Sequence, residues 1–388
     1  MNVLFFTSWY PTRSHSYSGV FVREHAKAAR EAGHQVVVMH LAGPRSHPDD
    51  GMWTMEEELD PSLSEGIEAH HVHHRRYRLR GTSYPLYLLS AINAYRRVRD
   101  GGFRPDVLHA HVYGAGVPAA LIGNRTGLPV VLTEHFSGFP LRTLNRIEVR
   151  KARFACEHAA RVLPVSAFLR EAIRSYGIDV PFEVVPNVVD TSLFFPPSMG
   201  RKHGPEPRLI FVGNLEPMEY KGFPTLLRAL AHLGERRRDW RLDVFGGGPE
   251  LERYEKYATA HDLRERVSFH GSRPKQVVAE TMRAADLFVL PSRVETFGTA
   301  IAEALASGLP VVSTTVGAIP ELVDATRGLL VPPDDATALA DALDKALESI
   351  DSFDRRAIAE AARDRYSSNE VGRRLSQIYE SVLAERRG

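Results

Sequence analysis

Apolar runs of four or five residues recur along this chain, and between them the apolar positions fall three and four residues apart. Runs that are apolar throughout, not alternating, predict strands covered on both faces of a sheet. In the first half they are Val3-Leu4-Phe5-Phe6, Gln35-Val36-Val37-Val38-Met39, Asp106-Val107-Leu108-His109-Ala110, Pro129-Val130-Val131-Leu132-Thr133 and Val162-Leu163-Pro164-Val165. The helical stretches between them run from Val20 to Ala32, stopped by Gly33, from Ala115 to Arg125, along a long pattern reaching Ala160, and from a Ser166 cap to near Gly177. Between Asn187 and Pro207 the periodicity stops, and Pro186, Pro196, Pro197, Gly200, Gly204, Pro205 and Pro207 crowd together, which marks a domain boundary. Alternation then restarts with strands at 209–212, 242–245, 267–269, 287–290, 311–313 and 329–331, and helices at 223–233, 249–260 and 277–283 and from Ala336 onward. The pattern predicts an α/β protein of two doubly wound, Rossmann-like domains, 1–190 and 208–365, joined by a linker at 191–207 and facing across a cleft. Such a cleft is the usual ligand site.

Composition narrows the class. The chain has 388 residues, too many for one typical core, and 43% hydrophobic with 25% charged residues is ordinary for a globular protein. A net charge of +1, from 49 basic and 48 acidic residues, gives no case for a nucleic-acid partner. The single cysteine, Cys156, excludes an intramolecular disulfide and fits a reducing compartment. It lies in a helical pattern and reads as a packing residue. No apolar run reaches the roughly 18 residues of a membrane-spanning helix, and Met1 to Phe6 reads as a core strand, not a signal peptide. The expected location is the cytoplasm.

The chemistry concentrates at 291–303. The strand 287–290 leads through Glu295 and Gly298 into a helix carrying Glu303. Strand, glycine turn and helix place backbone N–H groups where an anion binds, and carboxylates beside such a site suit sugar hydroxyls. Lys221, at another strand-to-helix turn, can neutralise a diphosphate. Gly246-Gly247-Gly248 lacks the pattern of a dinucleotide fingerprint and reads as a turn beside the ligand or a contact to it. Gly19 either lets backbone approach a ligand or merely allows a turn. His109, His111 and His135 end strands in the first half; His111 and His135 are candidate sugar contacts. No ligand set of recognised metal spacing accompanies them. Arg142, Arg146, Arg150 and Arg153 share one face of a helical pattern, and His70 to Arg80 is a second basic stretch. The arginine face is either solvated or suited to peripheral contact with an anionic membrane.

Together these positions resemble the retaining glycosyltransferases of family 4, of GT-B architecture. Glu295-Thr296-Phe297-Gly298 through Glu303 matches the family's E-x7-E signature. Phe269-His270-Gly271, Ala285-Asp286, Pro291-Ser292, Gly308-Leu309-Pro310-Val311 and Pro320-Glu321 follow the family's order, as do Tyr10-Pro11, Gly19, Asp106 to His111, Val165-Ser166 and Val185-Pro186-Asn187 in the first half. The resemblance implies a nucleotide-diphosphate sugar donor in the second domain. Glu303 would hold the ribose and Glu295 the donor sugar, with amides of Phe297, Gly298 and Thr299 at sugar and phosphate, and base recognition by backbone groups near Gly271 to Arg273. Lys221 would neutralise the leaving diphosphate, and His135 would contact the sugar from the first domain. No metal or other cofactor is implied. The acceptor would be a hydroxyl compound, lipid-linked ones included, in polysaccharide or glycolipid synthesis, and the last helix, 366–388, would cross back to the first domain. Two departures stand out. Asn214 occupies a position where the family usually has arginine, for which Arg293 is the available substitute, and Val188 stands where glycine is frequent. Two other readings use the same architecture: a sugar-nucleotide epimerase, and a non-catalytic sugar-nucleotide-binding partner.

Overall fold

The computed structural model describes residues 1–15, 17–45, 52–75, 83–198 and 204–387. It divides into two compact units, 1–188 with 368–388, and 189–367. The boundary therefore falls before the proline-rich stretch. The segment after it belongs to the second unit, where the Val189 N–H donates to the Tyr366 carbonyl at 2.8 Å.

The first unit is a seven-stranded sheet in the order β3-β4-β2-β1-β5-β6-β7. Its strands are β1 (Asn2–Thr7), β2 (Gln35–Arg45), β3 (Trp53–Glu57), β4 (Glu68–Arg75), β5 (Val107–His111), β6 (Val130–Glu134) and β7 (Arg161–Pro164). All neighbours are parallel except β3, an antiparallel edge strand on β4. The helices are α1 (Val20–Glu31), α2 (Pro61–Ser64), α3 (Ser83–Asp100), α4 (Tyr113–Thr126), α5 (Arg146–Glu157) and α6 (Ala167–Arg174). The apolar-run pattern misses β3, β4, α2 and α3. In β4 the core-facing positions of Glu68-Ala69-His70-His71-Val72-His73-His74 include buried histidines, so the strand does not read as apolar. The basic stretch is thus partly a strand, and its residues 76–80 lie outside the described residues.

The second unit is a parallel six-stranded sheet in the order β10-β9-β8-β11-β12-β13. Its strands are β8 (Arg208–Val212), β9 (Arg241–Phe245), β10 (Val267–Gly271), β11 (Leu287–Leu290), β12 (Val311–Thr314) and β13 (Gly328–Val331). The helices α7 (Phe223–Arg236), α8 (Leu251–Ala260), α9 (Lys275–Ala284), α10 (Thr299–Ala306), α11 (Ile319–Leu322), α12 (Ala336–Glu348) and α13 (Arg355–Tyr366) cover it. The last helix, α14 (Ser368–Arg387), joins the first unit. There Val371, Leu375, Ile378, Tyr379 and Val382 are buried in one core with β1, β2 and α1. Among the described residues no helix is long and apolar enough to cross a membrane.

Each sheet has one point where the strand order reverses direction: β1 beside β5, and β8 beside β11. Crevices open at the carboxyl ends of such strands. The candidate residues lie around these two points.

Candidate functional site

In the second unit, Lys221 lies in the connection after β8 and Glu295 in the connection after β11. The Lys221 Nζ donates to Glu295 Oε1 at 2.5 Å, and Ser292 Oγ donates to the same oxygen at 3.0 Å. Glu295 is 8% exposed, so this carboxylate has left bulk water with its partners in place. The contact depends on Gly222. This residue caps α7 with φ 65°, and a Cβ there would stand 1.8 Å from the Pro291 carbonyl oxygen. Only glycine lets the two connections touch.

Glu303, in the second turn of α10, is also 8% exposed, and Lys275 Nζ, at the start of α9, lies 3.2 Å from its Oε1. Lys275 is absent from the sequence-derived set. Its signal is the one that marks Lys221, a lysine where a strand's connection opens a helix, here after Pro274. Gly298 caps α10 with φ 92° and Thr299 is its first residue. The Phe297 side chain is buried edge-on to Tyr366 with ring centres 5.5 Å apart, which anchors the turn. Asn214 is exposed after β8, and Arg273 is exposed before α9. Arg293 acts as a brace. Its Nε lies 2.6 Å from Asp334 Oδ1, its Nη1 2.8 Å from Glu219 Oε2, and its backbone N–H donates to the Tyr220 carbonyl at 2.8 Å. The guanidinium thus steadies the connection bearing Lys221, and carboxylates compensate its charge. The Gly246-Gly247-Gly248 turn supports the Asn214 segment, with the Leu215 N–H donating to the Gly247 carbonyl at 2.9 Å. A cavity of about 530 Å³ between 191–198 and α13 includes none of these residues in its lining.

In the first unit, Gly19 caps α1 with φ 65°, and a Cβ there would fall 2.1 Å from the Trp9 carbonyl oxygen. His111 ends β5 and His135 follows β6; His111 Nδ1 and His135 Nε2 share a proton across 3.0 Å. His25, from α1, completes a buried trio in which one ring nitrogen of each histidine lies within 4.8 Å of the others. Burial holds all three imidazoles neutral, lowering His25 to about 4 and the other two well below the usual range. His109 stacks on the His111 ring with centres 4.5 Å apart, but its nitrogens point elsewhere. Its Nδ1 lies 2.6 Å from the Tyr379 hydroxyl and its Nε2 2.7 Å from Thr133 Oγ1. The histidines whose ring nitrogens converge are therefore 25, 111 and 135, not 109, 111 and 135. His25 escaped the sequence reading because a helix interior normally holds histidine as a packing or surface residue. Beside His135, the Glu134 carboxylate accepts from the backbone N–H of Tyr113, His135 and Phe136 at 2.8–2.9 Å, while burial raises its titration to about 7.

Two further expectations change. The helical pattern reaching Ala160 becomes α5 alone, which Asn145 starts by accepting from the N–H of Ile147 and Glu148. Arg142 lies before that helix with φ 56°, its guanidinium over the Tyr176 ring, and Arg153 donates to the Tyr176 and Gly177 carbonyls. The arginine face reduces to exposed Arg146 and Arg150, flanking Ile147 at 63% exposure. Cys156 is fully buried, and burial pushes its thiol up, away from reactivity.

Residues 18–193 match the Glycosyltransferase Family 4 description and residues 199–365 the Glycosyl transferases group 1 description. The D-inositol 3-phosphate glycosyltransferase of Pseudarthrobacter chlorophenolicus is 30% identical over 352 residues, which span 84% of this chain and 80% of that protein. The chain belongs to glycosyltransferase family 4. The GPI3 subunit of the Saccharomyces cerevisiae phosphatidylinositol N-acetylglucosaminyltransferase is 26% identical over 334 residues, 82% of this chain and 72% of that one. Among solved structures, Anabaena HepE in complex with UDP superposes with a TM-score of 0.78 at 21% identity, covering 98% of this chain and 100% of that one. The two Rossmann-like domains of this family 4 glycosyltransferase are those of the GT-B fold.

Proposed function

We propose that the second unit binds a nucleotide-diphosphate sugar, and that the enzyme moves the sugar, with retention of its anomeric configuration, to a hydroxyl acceptor. The observation that carries this reading is a pair of nearly buried carboxylates, Glu295 and Glu303, one on each side of the α10 start, each matched by a lysine. On donor binding the partners exchange. Glu303 accepts from the ribose hydroxyls and Glu295 from the sugar's hydroxyls, which frees Lys221 for the diphosphate. Amides of Phe297, Gly298 and Thr299 add a helix N-terminus to the phosphate and sugar side. Charge that develops on the departing diphosphate is met by fixed cations and dipoles, so the transfer step needs no metal. The leaving phosphate oxygen takes the acceptor's proton. The family resemblance assigns His135 to the transferred sugar; Gly19 and His111 are further candidate contacts from the first unit, and Asn214, Arg273 and Arg293 from the second.

The names of the inositol glycosyltransferase and of the GPI3 subunit support an acceptor of the polyol or lipid-linked class, in glycolipid or polysaccharide synthesis. The exposed Arg146, Ile147 and Arg150 suit a cytoplasmic protein that touches an anionic membrane surface. The test of reaction type is product stereochemistry. With an α-linked donor, proton NMR of the earliest product shows an α linkage; a β linkage overturns retention, and donor conversion without acceptor favours the epimerase reading.

A further inference from the structure

We propose that His25, His111 and His135 form a site for one transition-metal ion of the zinc class inside the first unit. Three observations carry it. The ligands come from three separate elements, α1, β5 and the connection after β6, and converge to within 4.8 Å. A tetrahedral ion with bonds of about 2.0–2.1 Å needs nitrogens roughly 3.3 Å apart. The facing nitrogens of His111 and His135 already stand at 3.0 Å, so His25 closes the set by a side-chain adjustment. Second, His25 is pre-oriented. Its Nδ1 lies 2.8 Å from the Phe21 carbonyl, one helical turn back, which fixes the proton there and leaves Nε2 as the lone-pair atom. A carbonyl behind a ligating imidazole is the usual support of a metal site. Third, the cluster is poorly explained as packing alone. His25 Nε2, the atom left for an ion, is buried without a hydrogen-bond partner, and three neutral imidazoles are gathered where apolar residues would fit.

Binding keeps all three rings neutral. The hydrogen bond between His111 Nδ1 and His135 Nε2 gives way to two metal bonds, with the ring protons on His111 Nε2 and on His135 Nδ1, beside the Asn187 side chain. The ion carries in its own charge, and the Glu134 carboxylate, next in the chain to His135, is a buried counter-charge. His135 is the one residue of the three with any exposure, at 8%, so an ion would enter on its side. All-imidazole ligation selects zinc, copper, nickel or cobalt over magnesium or calcium. The ion staples α1 to β5 and β6 at the point where β1 meets β5. It also occupies the His135 imidazole, so a loaded enzyme is expected to lose whatever His135 does in transfer. The inference rests on the first unit alone and stands or falls apart from donor binding in the second.

The test uses the full-length chain, stripped with chelator and titrated with Co²⁺. Expected are saturation at one equivalent, intense visible bands of four- or five-coordinate cobalt, their loss on adding equimolar Zn²⁺, and a higher Tm. His25→Phe should weaken Co²⁺ binding at least ~100-fold and abolish the bands. His25→Cys should keep the stoichiometry and add a near-ultraviolet thiolate-to-cobalt band; this variant reads the site even where His25→Phe does not fold. Weak bands of six-coordinate cobalt in the wild type overturn the proposal, as does wild-type binding in His25→Phe or a missing thiolate band in a folded His25→Cys.

Discussion

Glu303 and Lys275 separate what a residue does from what it positions. If Glu303 accepts from ribose hydroxyls, removing it deletes charged hydrogen bonds worth about 1.5–3 kcal/mol, so Glu303→Ala should weaken nucleotide binding ~10- to 100-fold by calorimetry. Lys275→Met leaves the carboxylate in place without that lysine and should weaken binding by less. Lys221 carries the opposite signature. If its charge meets the departing diphosphate, Lys221→Met should lower kcat ~100-fold or more while nucleotide affinity falls only a few fold, a split read from initial rates and titration together. Equal losses in both would make Lys221 a ground-state binder. Residue identity made Lys221, Glu295 and Glu303 legible as candidates, because a lysine or carboxylate at a strand-to-helix connection has few structural uses. Lys275 and His25 were not legible, because their partners lie 28 and at least 86 residues away and only the fold brings them together.

Apolar strands were the most legible elements because parallel strands are covered on both faces and cannot hide charge. The exceptions show why. The core-facing histidines of β4 replace apolar residues with hydrogen-bonded ones: His71 Nε2 lies 3.0 Å from Glu58 Oε2, and His71 Nδ1 lies 2.8 Å from His40 Nδ1 on β2. That pairing has a pH consequence. His40 faces His71, His73 and the Tyr10 ring, and burial lowers its titration to about 3. Between pH ~6.5 and ~3 the unfolded chain binds a proton that the folded chain refuses. Stability must therefore fall with pH across that window, by up to about 1.4 kcal/mol per pH unit from this residue. His40→Gln should flatten the slope of urea-derived stability against pH; an unchanged slope would remove His40 from the account. The connections rest on backbone fit. Gly222→Ala forces a strained φ against the Pro291 carbonyl. It should destabilise the second unit by about 1–3 kcal/mol and uncouple Lys221 from Glu295, lowering Tm and kcat together.

Over the whole molecule, the alternation of strands and helices was enough to read two Rossmann-like domains, whereas the path of the last helix came only from resemblance. No local pattern says that 368–388 belongs to the first unit; burial of Val371, Leu375, Ile378, Tyr379 and Val382 does. Each such side chain contributes ~1.5–3 kcal/mol, and five of them match the whole stability of a typical domain. A chain ending at Ser367 should therefore lose the first unit's cooperative unfolding. The central claim, a nucleotide-diphosphate site built on Glu303 and Lys221, is tested most directly by thermal unfolding of wild type and Glu303→Ala with UDP, GDP, ADP or TDP and their sugars. One nucleotide series at about 100 times its Kd should stabilise the wild type by roughly 2.7 kcal/mol, and the shift should fade in Glu303→Ala. A wild type that no nucleotide stabilises, or a variant that responds as the wild type does, would contradict it.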